Sequence, residues 1–499
     1  MITLGIDSGT QSTKCIALDM ESGKIVANAS KSYDMIEGLP PGHLEQEPKV
    51  WLDAVDETVR ACIKQLGKKK DGIKAIGVSG QQHGFVPLNK KNEVIRPAKL
   101  WCDTSTADQC KQFADEFGGV DGLIKLSGNA MLPGYTAPKI LWLKQNEPKN
   151  FKALKSVLLP HDYINFYLTG EKGMEFGDAS GTGLLDVRKK EWCKPLLEFI
   201  DEELEDCFPK LGSSRRVIGL LTENLREAWG LAKSPVVSAG GGDNMMGAIG
   251  TGNVKPGVVT VSLGTSGTVY AFSAEPVVDE EGEVAAFCDS TDRWMPLVCT
   301  MNVTVATEQV RGMFGWSHDE MESHIRKVGP GASGLLFLPY LNGERTPNLP
   351  QGCGVFHGLN TETMSPAHMA RATMEGATLG LAYGLNRFRQ LGIEPTEIRL
   401  TGGGSKSGVW RQICADVFGV PTVCLTSAEG AALGSALQAA YASAATEGNP
   451  TTFRDLAERL VTLDESTRCK PDEAARNIYT KLLGRQSDLT KRLHTAGYI

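Results

Sequence analysis

The chain has 499 residues, 41% of them hydrophobic and 22% charged, an ordinary globular composition that excludes disorder as the main state and allows more than one buried core. With 52 Lys+Arg against 59 Asp+Glu the formal net charge is −7, which excludes a basic footprint for nucleic acid. Glycine is the anomaly: its 56 residues are about 11% of the chain where roughly 7% is usual.

In chain order, Ile2-Thr-Leu-Gly-Ile-Asp7-Ser-Gly-Thr10-Gln-Ser-Thr-Lys-Cys-Ile-Ala-Leu-Asp19 reads as strand, glycine turn and strand, a β-hairpin. It reaches an acid within seven residues, with no basic leader, and no run of 18 apolar residues occurs, so a cytoplasmic protein without signal peptide or membrane span is expected. A loop over 34–48 leads to Pro48, a good first helical residue, after which Trp51, Val55, Val59, Cys62, Ile63 and Leu66 recur at helical spacing. Residues 73–79 form a buried strand ending at Gly80, 88–97 a loop, and 97–103 another short strand carrying Trp101; further loops are expected at 208–216 and 445–451.

The same grammar then restarts. Residues 235–243 are a strand entering a glycine turn, and 257–272 are again strand, Gly-Thr turn, strand. The turn at Thr10 has a counterpart at Thr265, and the Ile76–Gln82 segment has one at Ile398–Ser407. Two related α/β domains facing one cleft are expected, divided near 245–255. Ser365-Pro366 opens a helix whose Gly376, Gly380 and Gly384 suit close helix packing, a spacing that assigns no dimer face, so a homodimer stays open. The polar segment after Pro471 reads as a surface helix. The twelve cysteines, with no C-x-x-C pair, are expected to be reduced core thiols.

Chemistry concentrates at the glycine turns. In the first hairpin a bare backbone can approach phosphate oxygens, Thr10, Ser12 and Thr13 add hydroxyl donors, and Asp7 at the strand end can hold Mg²⁺ directly or through water; the plain alternative is a tight turn with a self-bonded Asp. The second hairpin, with Gly264 and Thr265, has the same parts without the acid. No G-x-x-x-x-G-K-[ST] occurs and no G-x-G-x-x-G follows a strand, so a nucleotide must be held differently. Asp243, after Gly240-Gly-Gly, is either a helix N-cap or a general base kept ionised at a helix N-terminus, and the two roles can coexist.

Gln81, Gln82 and His83 follow a strand and suit a polyhydroxylated ligand. Trp101 and Asp103 offer a stacking face and an acceptor, or else a core aromatic and a loop acid. Gly402, Gly403, Gly404 and Ser407, before an amphipathic helix, offer backbone to an adenosine end. The glycine excess is thus expected mainly where ligand approaches, Gly5, Gly77, Gly80 and Gly84 included, with Gly250, Gly376, Gly380 and Gly384 on packed helices.

Taken together, the strings Gly-Ile-Asp7-Ser-Gly-Thr, Gly80-Gln-Gln-His-Gly84, Leu100-Trp-Cys-Asp103, Met131-Leu-Pro-Gly-Tyr-Thr-Ala-Pro-Lys139, Leu159-Pro-His-Asp162-Tyr, Gly240-Gly-Gly-Asp-Asn244, Ser262-Leu-Gly-Thr-Ser-Gly267, Phe337-Leu-Pro-Tyr-Leu-Asn-Gly-Glu-Arg-Thr-Pro347 and Thr401-Gly-Gly-Gly-Ser-Lys-Ser407 resemble, in order, the FGGY carbohydrate kinases over about residues 2–440. The Gln-Gln-His and Gly-Glu-Arg-Thr-Pro strings are similar to the members that act on D-xylulose. The resemblance implies an α/β fold of two actin-like, ribonuclease H-like ATPase domains facing a central cleft. Residues 1–248 would bind sugar and phosphate, and 249–499 nucleotide.

It also implies ATP-dependent phosphorylation of D-xylulose at its 5-hydroxyl, with Asp243 as base and Asp7 near Mg²⁺ and the γ-phosphate. Gln82, His83, Trp101, Asp103, Asp243 and Asn244 would bind sugar. Thr10, Gln11, Ser12, Gly264 and Thr265 would contact phosphates, and Gly403, Gly404 and Ser407 the adenosine side. Expected partners are the sugar and ATP, with neither nucleic acid nor membrane. The rivals are a kinase of gluconate, ribulose, L-xylulose or glycerol, and an actin-like ATPase or sugar sensor without kinase activity.

Overall fold

The computed structural model describes residues 1–449 and 451–499; Pro450, within the loop expected at 445–451, lies outside them. The chain forms two compact units: Met1–Lys255 with Phe272–Met295 and Glu429–Val461, and Pro256–Ala271 with Pro296–Ala428 and Thr462–Ile499. The units are therefore interleaved in sequence, although each is built on the grammar its first hairpin announces.

In the first unit the strand Ile2–Ser8 pairs antiparallel with Ser12–Asp19, which pairs with Lys24–Ser32. On its other side Ile2–Ser8 runs parallel to Ile73–Gly80, with Asp7 opposite Ser79. Val236–Ser238 continues the sheet in parallel and Val217–Leu220 closes it antiparallel. The central strands are buried along nearly their whole length, as strands covered on both faces must be. The helix Pro48–Leu66 covers one face with Trp51, Val55, Val59 and Cys62, the stripe its periodicity predicts.

The other face carries the helix Gly430–Thr446, and it explains where much of the glycine goes. A Cβ on Gly5 would run into the Ala432 carbonyl, and one on Gly77 into that of Ser435. These two residues are bare because a helix backbone lies on the sheet, not because a ligand does, which corrects the expectation for them. Gly80 and Gly84 are likewise filled, by His161 and Pro160. Gly250 and Gly434 let the helix Asp243–Gly250 cross Gly430–Thr446 backbone to backbone, their Cβ positions being taken by the Gly430 and Met246 carbonyls. This packing draws residues 429–461 into the first unit.

The second unit repeats the plan. Val258–Leu263 pairs antiparallel with Gly267–Ala271, which pairs with residues 297–300; on its other side it runs parallel to Glu397–Thr401, which is parallel to Thr422–Leu425, and Leu463–Cys469 closes the sheet antiparallel. Order and direction match the first unit strand for strand. Ile73–Gly80 and Glu397–Thr401 are thus equivalent, as the two glycine turns that end them suggest. Helices Pro366–Gln390, Gly408–Phe418 and Glu473–Thr495 complete this unit.

On the first of these helices Gly376 packs on the Phe337 carbonyl and Gly384 on Val298, whereas Gly380 meets nothing within 4 Å, so close packing accounts for two of the three glycines. The last helix keeps a polar outer face but is no loose appendage. Tyr479 is buried, donates to Glu375 Oε1 at 2.7 Å and accepts from Arg371 Nη2 at 3.0 Å. All twelve cysteines are free; six are buried as core thiols, five are half-buried, and Cys353 is exposed. Among the described residues no helix is long and apolar enough to cross a membrane.

Candidate active site

The first unit gathers most of the sequence-selected residues at the ends of three adjacent strands. Asp7, at the end of Ile2–Ser8, accepts Ser79 Oγ at 2.9 Å, and burial raises its pKa while the Ser79 bond and the Lys14 charge oppose the rise. The turn beyond it is tied down: Gly9 N–H donates to Ser12 O at 3.0 Å and Tyr33 OH donates to Gly9 O at 2.7 Å. Gln11 is exposed and Ser12 half-buried. Gly9 itself stays open, the nearest atom to its Cβ position being 3.6 Å away.

Thr10 joins the turn to Trp101, whose Nε1 donates to Thr10 Oγ1 at 2.9 Å; Thr10 Oγ1 then donates to Gln81 Oε1 at 3.2 Å. Gln81 Nε2 in turn donates to Gln46 Oε1 at 3.1 Å, which also accepts Trp51 Nε1 at 3.0 Å. The two glutamines of the Gln-Gln-His string therefore part company. Gln81 turns into this network with Gln46, a residue sequence reading missed. Gln82 Oε1 accepts Asn244 Nδ2 at 2.8 Å, beside Asp243. The His83 ring lies between Tyr135 and Phe287, with centroids at 5.0 and 5.6 Å.

Asp243 is the first residue of the helix Asp243–Gly250, whose cap residue is Gly242, so it is not itself the N-cap. Its Oδ1 accepts Asn244 N–H at 2.8 Å and Asn244 Nδ2 at 3.1 Å. Burial first, then the charges of Asp7 and Asp178, push its pKa up to about 7 despite those two bonds. A carboxylate poised there can take a proton near neutral pH. The Asp7 charge adds to the cost of ionising Asp243, and hard carboxylate oxygens that disfavour one another's charge are a donor set that fits a divalent cation such as Mg²⁺.

Asp103 sits elsewhere in character. It is fully buried, and its oxygens accept Leu44 N–H, Lys99 Nζ and Ser105 N–H, each at 3.0 Å, and Ser105 Oγ at 2.6 Å. These partners hold its pKa low against the opposing effect of burial. Of the two readings left open in sequence, this geometry is that of the loop acid. His43, Glu45 and Asp103 also lie within metal-ligating distance of one another, but the buried Lys99 ammonium stands among them, 3.2 Å from both His43 and Glu45, and fills the cation's place.

In the second unit, Thr265 is exposed at the hairpin tip, and Ser262 occupies the position Asp7 holds in the first hairpin, so the acid is absent by exact structural correspondence. Gly264 and Thr265 carbonyls accept the N–H groups of Thr304 and Val303 at 2.9 and 3.0 Å. After Glu397–Thr401, Gly402 has a φ of 82°, a left-handed turn that favours glycine, and Gly403 meets nothing within 4 Å. Gly404 instead is buried against Leu263 and Trp410, and Ser407 caps the helix Gly408–Phe418 while donating to Glu322 Oε2 at 2.8 Å. Open backbone here belongs to Gly403.

A paired glycine-threonine hairpin in each of two like units, with acids at one of them, defines the class. Residues 2–250 match the FGGY family of carbohydrate kinases, N-terminal domain, and residues 259–443 its C-terminal domain; the chain belongs to this family of actin-like fold and is a sugar kinase, a phosphotransferase whose family uses ATP. The chain is 39% identical over 496 residues to a xylulose kinase of Haemophilus influenzae, covering 97% of this chain and 99% of that one. It is 37% identical over 444 residues to a xylulose kinase of Escherichia coli, covering 88% and 90%. The crystal structure of a xyloylose kinase from Brucella ovis superposes with a TM-score of 0.92 at 30% identity, covering 99% of this chain and 100% of that one.

Proposed function

We propose that the protein transfers the γ-phosphate of ATP to the 5-hydroxyl of D-xylulose. The observation that carries this reading is the Asp243 carboxylate, held beside the Gln82–Asn244 pair with its pKa near neutrality. Support for the particular sugar comes from relatives named xylulose kinase that match 97% and 88% of this chain. Asp243 takes the proton of the 5-hydroxyl as the oxygen attacks, and the N-terminus of its helix favours its ionised form. Gln82, His83 and Asn244 bond the sugar hydroxyls, and Trp101 gives the sugar an apolar wall while its indole N–H fixes Thr10. Asp103 supports the Trp101 loop from within.

Asp7 is the residue that would hold Mg²⁺, which when bound neutralises charge on the phosphates. Thr10, Gln11 and Ser12 in the first hairpin and Gly264 and Thr265 in the second offer backbone and hydroxyl donors to phosphate oxygens. Gly403 leaves room for the adenosine, with Gly404 and Ser407 shaping its turn. In this reading the first unit serves the acceptor and the second the nucleotide, and the enzyme works in the cytoplasm.

ADP release measured with D-xylulose, D-ribulose, L-xylulose, gluconate and glycerol, with and without Mg²⁺, tests the proposal. D-xylulose should give the highest kcat/KM and the product should be the 5-phosphate. Preference for another acceptor would overturn the substrate, and stimulation by none would favour an ATPase without sugar kinase activity.

A further inference from the structure

His83 is the residue of the Gln81–Gly84 run that keeps partial exposure, and its backbone is in the left-handed region at φ 62°, a costly place for a residue with a Cβ. Something must hold it there. Its carbonyl accepts Lys139 Nζ at 2.8 Å and Thr136 Oγ1 at 3.1 Å, and its backbone N–H lies near enough to the Asp178 carboxylate to favour that acid's ionised form. Lys139 and Asp178 are both fully buried and come from different helices, Thr136–Asn146 and Phe176–Ser180. We propose that Asp178 and Lys139 are positioning residues that clamp the two peptide units flanking His83 and thereby set the enzyme's affinity for its sugar.

The surroundings hold both members of the clamp in place. Asp178 Oδ2 meets His161 Nδ1 at 2.8 Å, and Asp162 and Asp178 hold that imidazole protonated well above its usual range although burial opposes it. Asp178 thus has a counter-charge on one side and the His83 peptide near it on the other. Glu175 fixes the start of the Asp178 helix, accepting Gly177 N–H at 2.7 Å and the Asp178 N–H. Lys139 spends its ammonium on two carbonyls, the second being Gly134 O at 2.7 Å. The His83 ring rests on bare backbone at Gly181, where a Cβ would strike it. Burying a lysine and an aspartate to hold one strained peptide is costly. The cost makes sense when that peptide aims a substrate-binding side chain.

The inference rests on the proposed sugar kinase reading, and the experiment separates the two. Wild type, Asp178→Ala, Asp178→Asn and Lys139→Met are compared in full-length protein for sugar KM, ATP KM, kcat and melting temperature. Asp178→Ala and Lys139→Met should raise the sugar KM by about tenfold or more and the ATP KM by less than about twofold. Asp178→Asn, which still offers an oxygen to the His83 N–H, should recover most of the loss. If the two stronger variants do not fold, Thr136→Val removes one donor and should raise the sugar KM about threefold alone. Sugar KM unchanged, or sugar and ATP KM rising in step, overturns the clamp while wild-type turnover stands. A wild type that prefers another sugar overturns the substrate assignment and leaves the same comparison to be read with that sugar. Wild type inert toward every sugar overturns both.

Discussion

Replacing Asp243 by Asn tests the chemistry at its centre. The amide keeps an oxygen for the Asn244 N–H, which now lies 2.8 Å from Oδ1, so the turn should survive. What it loses is the proton acceptor, and general-base catalysis is worth about 10²–10⁴-fold. The structure adds a second, independent expectation. A carboxyl raised from 3.8 to about 7 in the folded protein favours the fold fully below its unfolded pKa, and that contribution is lost as pH rises through the folded one. At pH 8 the wild type bears the whole cost of ionising Asp243, at most about 4.5 kcal/mol at ~1.4 kcal/mol per unit. Asp243→Asn carries none of it.

The variant should therefore lose about 10²–10⁴-fold in kcat while melting no lower than wild type at pH 8, and the difference should shrink as pH falls toward 5. In the wild type, kcat/KM should rise with pH through an acid limb near 7. Coupled ADP-release kinetics and thermal melts across pH 5–8.5, as rough bounds of the window, measure both. A variant within about tenfold of wild-type kcat, or one that melts lower at pH 8 than at pH 5 relative to wild type, would refute the reasoning.

Two glycines in unlike surroundings should respond oppositely to replacement. Gly77→Ala drives a Cβ into the Ser435 carbonyl and should cost about 1–3 kcal/mol or more, read as a lower denaturation midpoint. Gly403→Ala meets no atom within 4 Å and should leave the midpoint in place while raising the ATP KM. Lys99→Met strips the buried Asp103 and Glu45 of the ammonium 3.0 and 3.2 Å away and should destabilise the fold by about 3–5 kcal/mol, measured by urea unfolding. Tyr479→Phe removes the hydroxyl that Glu375 and Arg371 share; a loss of about 1–3 kcal/mol and earlier proteolysis of the last helix should follow.

The sequence by itself determined what is local or periodic. Strand, turn and strand at Asp7 and again at Leu263, the helix after Pro48 and the restart of the grammar near residue 235 follow from alternation, helical spacing and glycine placement, and the two sheets repeat one another as those signals imply. The acids at Asp7 and Asp243 stand out in sequence for the same reason: one lies at the end of a strand and the other opens a helix, each beside glycines that bare the backbone. What a bare glycine is bare for was decided only by tertiary structure. Gly5 and Gly77 face a helix that arrives more than 350 residues later, and Gly9 and Gly403 face open space. Nothing in a string of letters distinguishes them, because the occupant of the missing Cβ belongs to another part of the chain. The same holds for Gln81 and Gln82, neighbours sent to different partners, for Asp103, drawn inward by Lys99, and for Asp178 and Lys139, which meet the His83 turn only through packing. Length and composition set the number of cores and the supply of glycine; the folded contacts determined which of those glycines lie against a helix and which are left open.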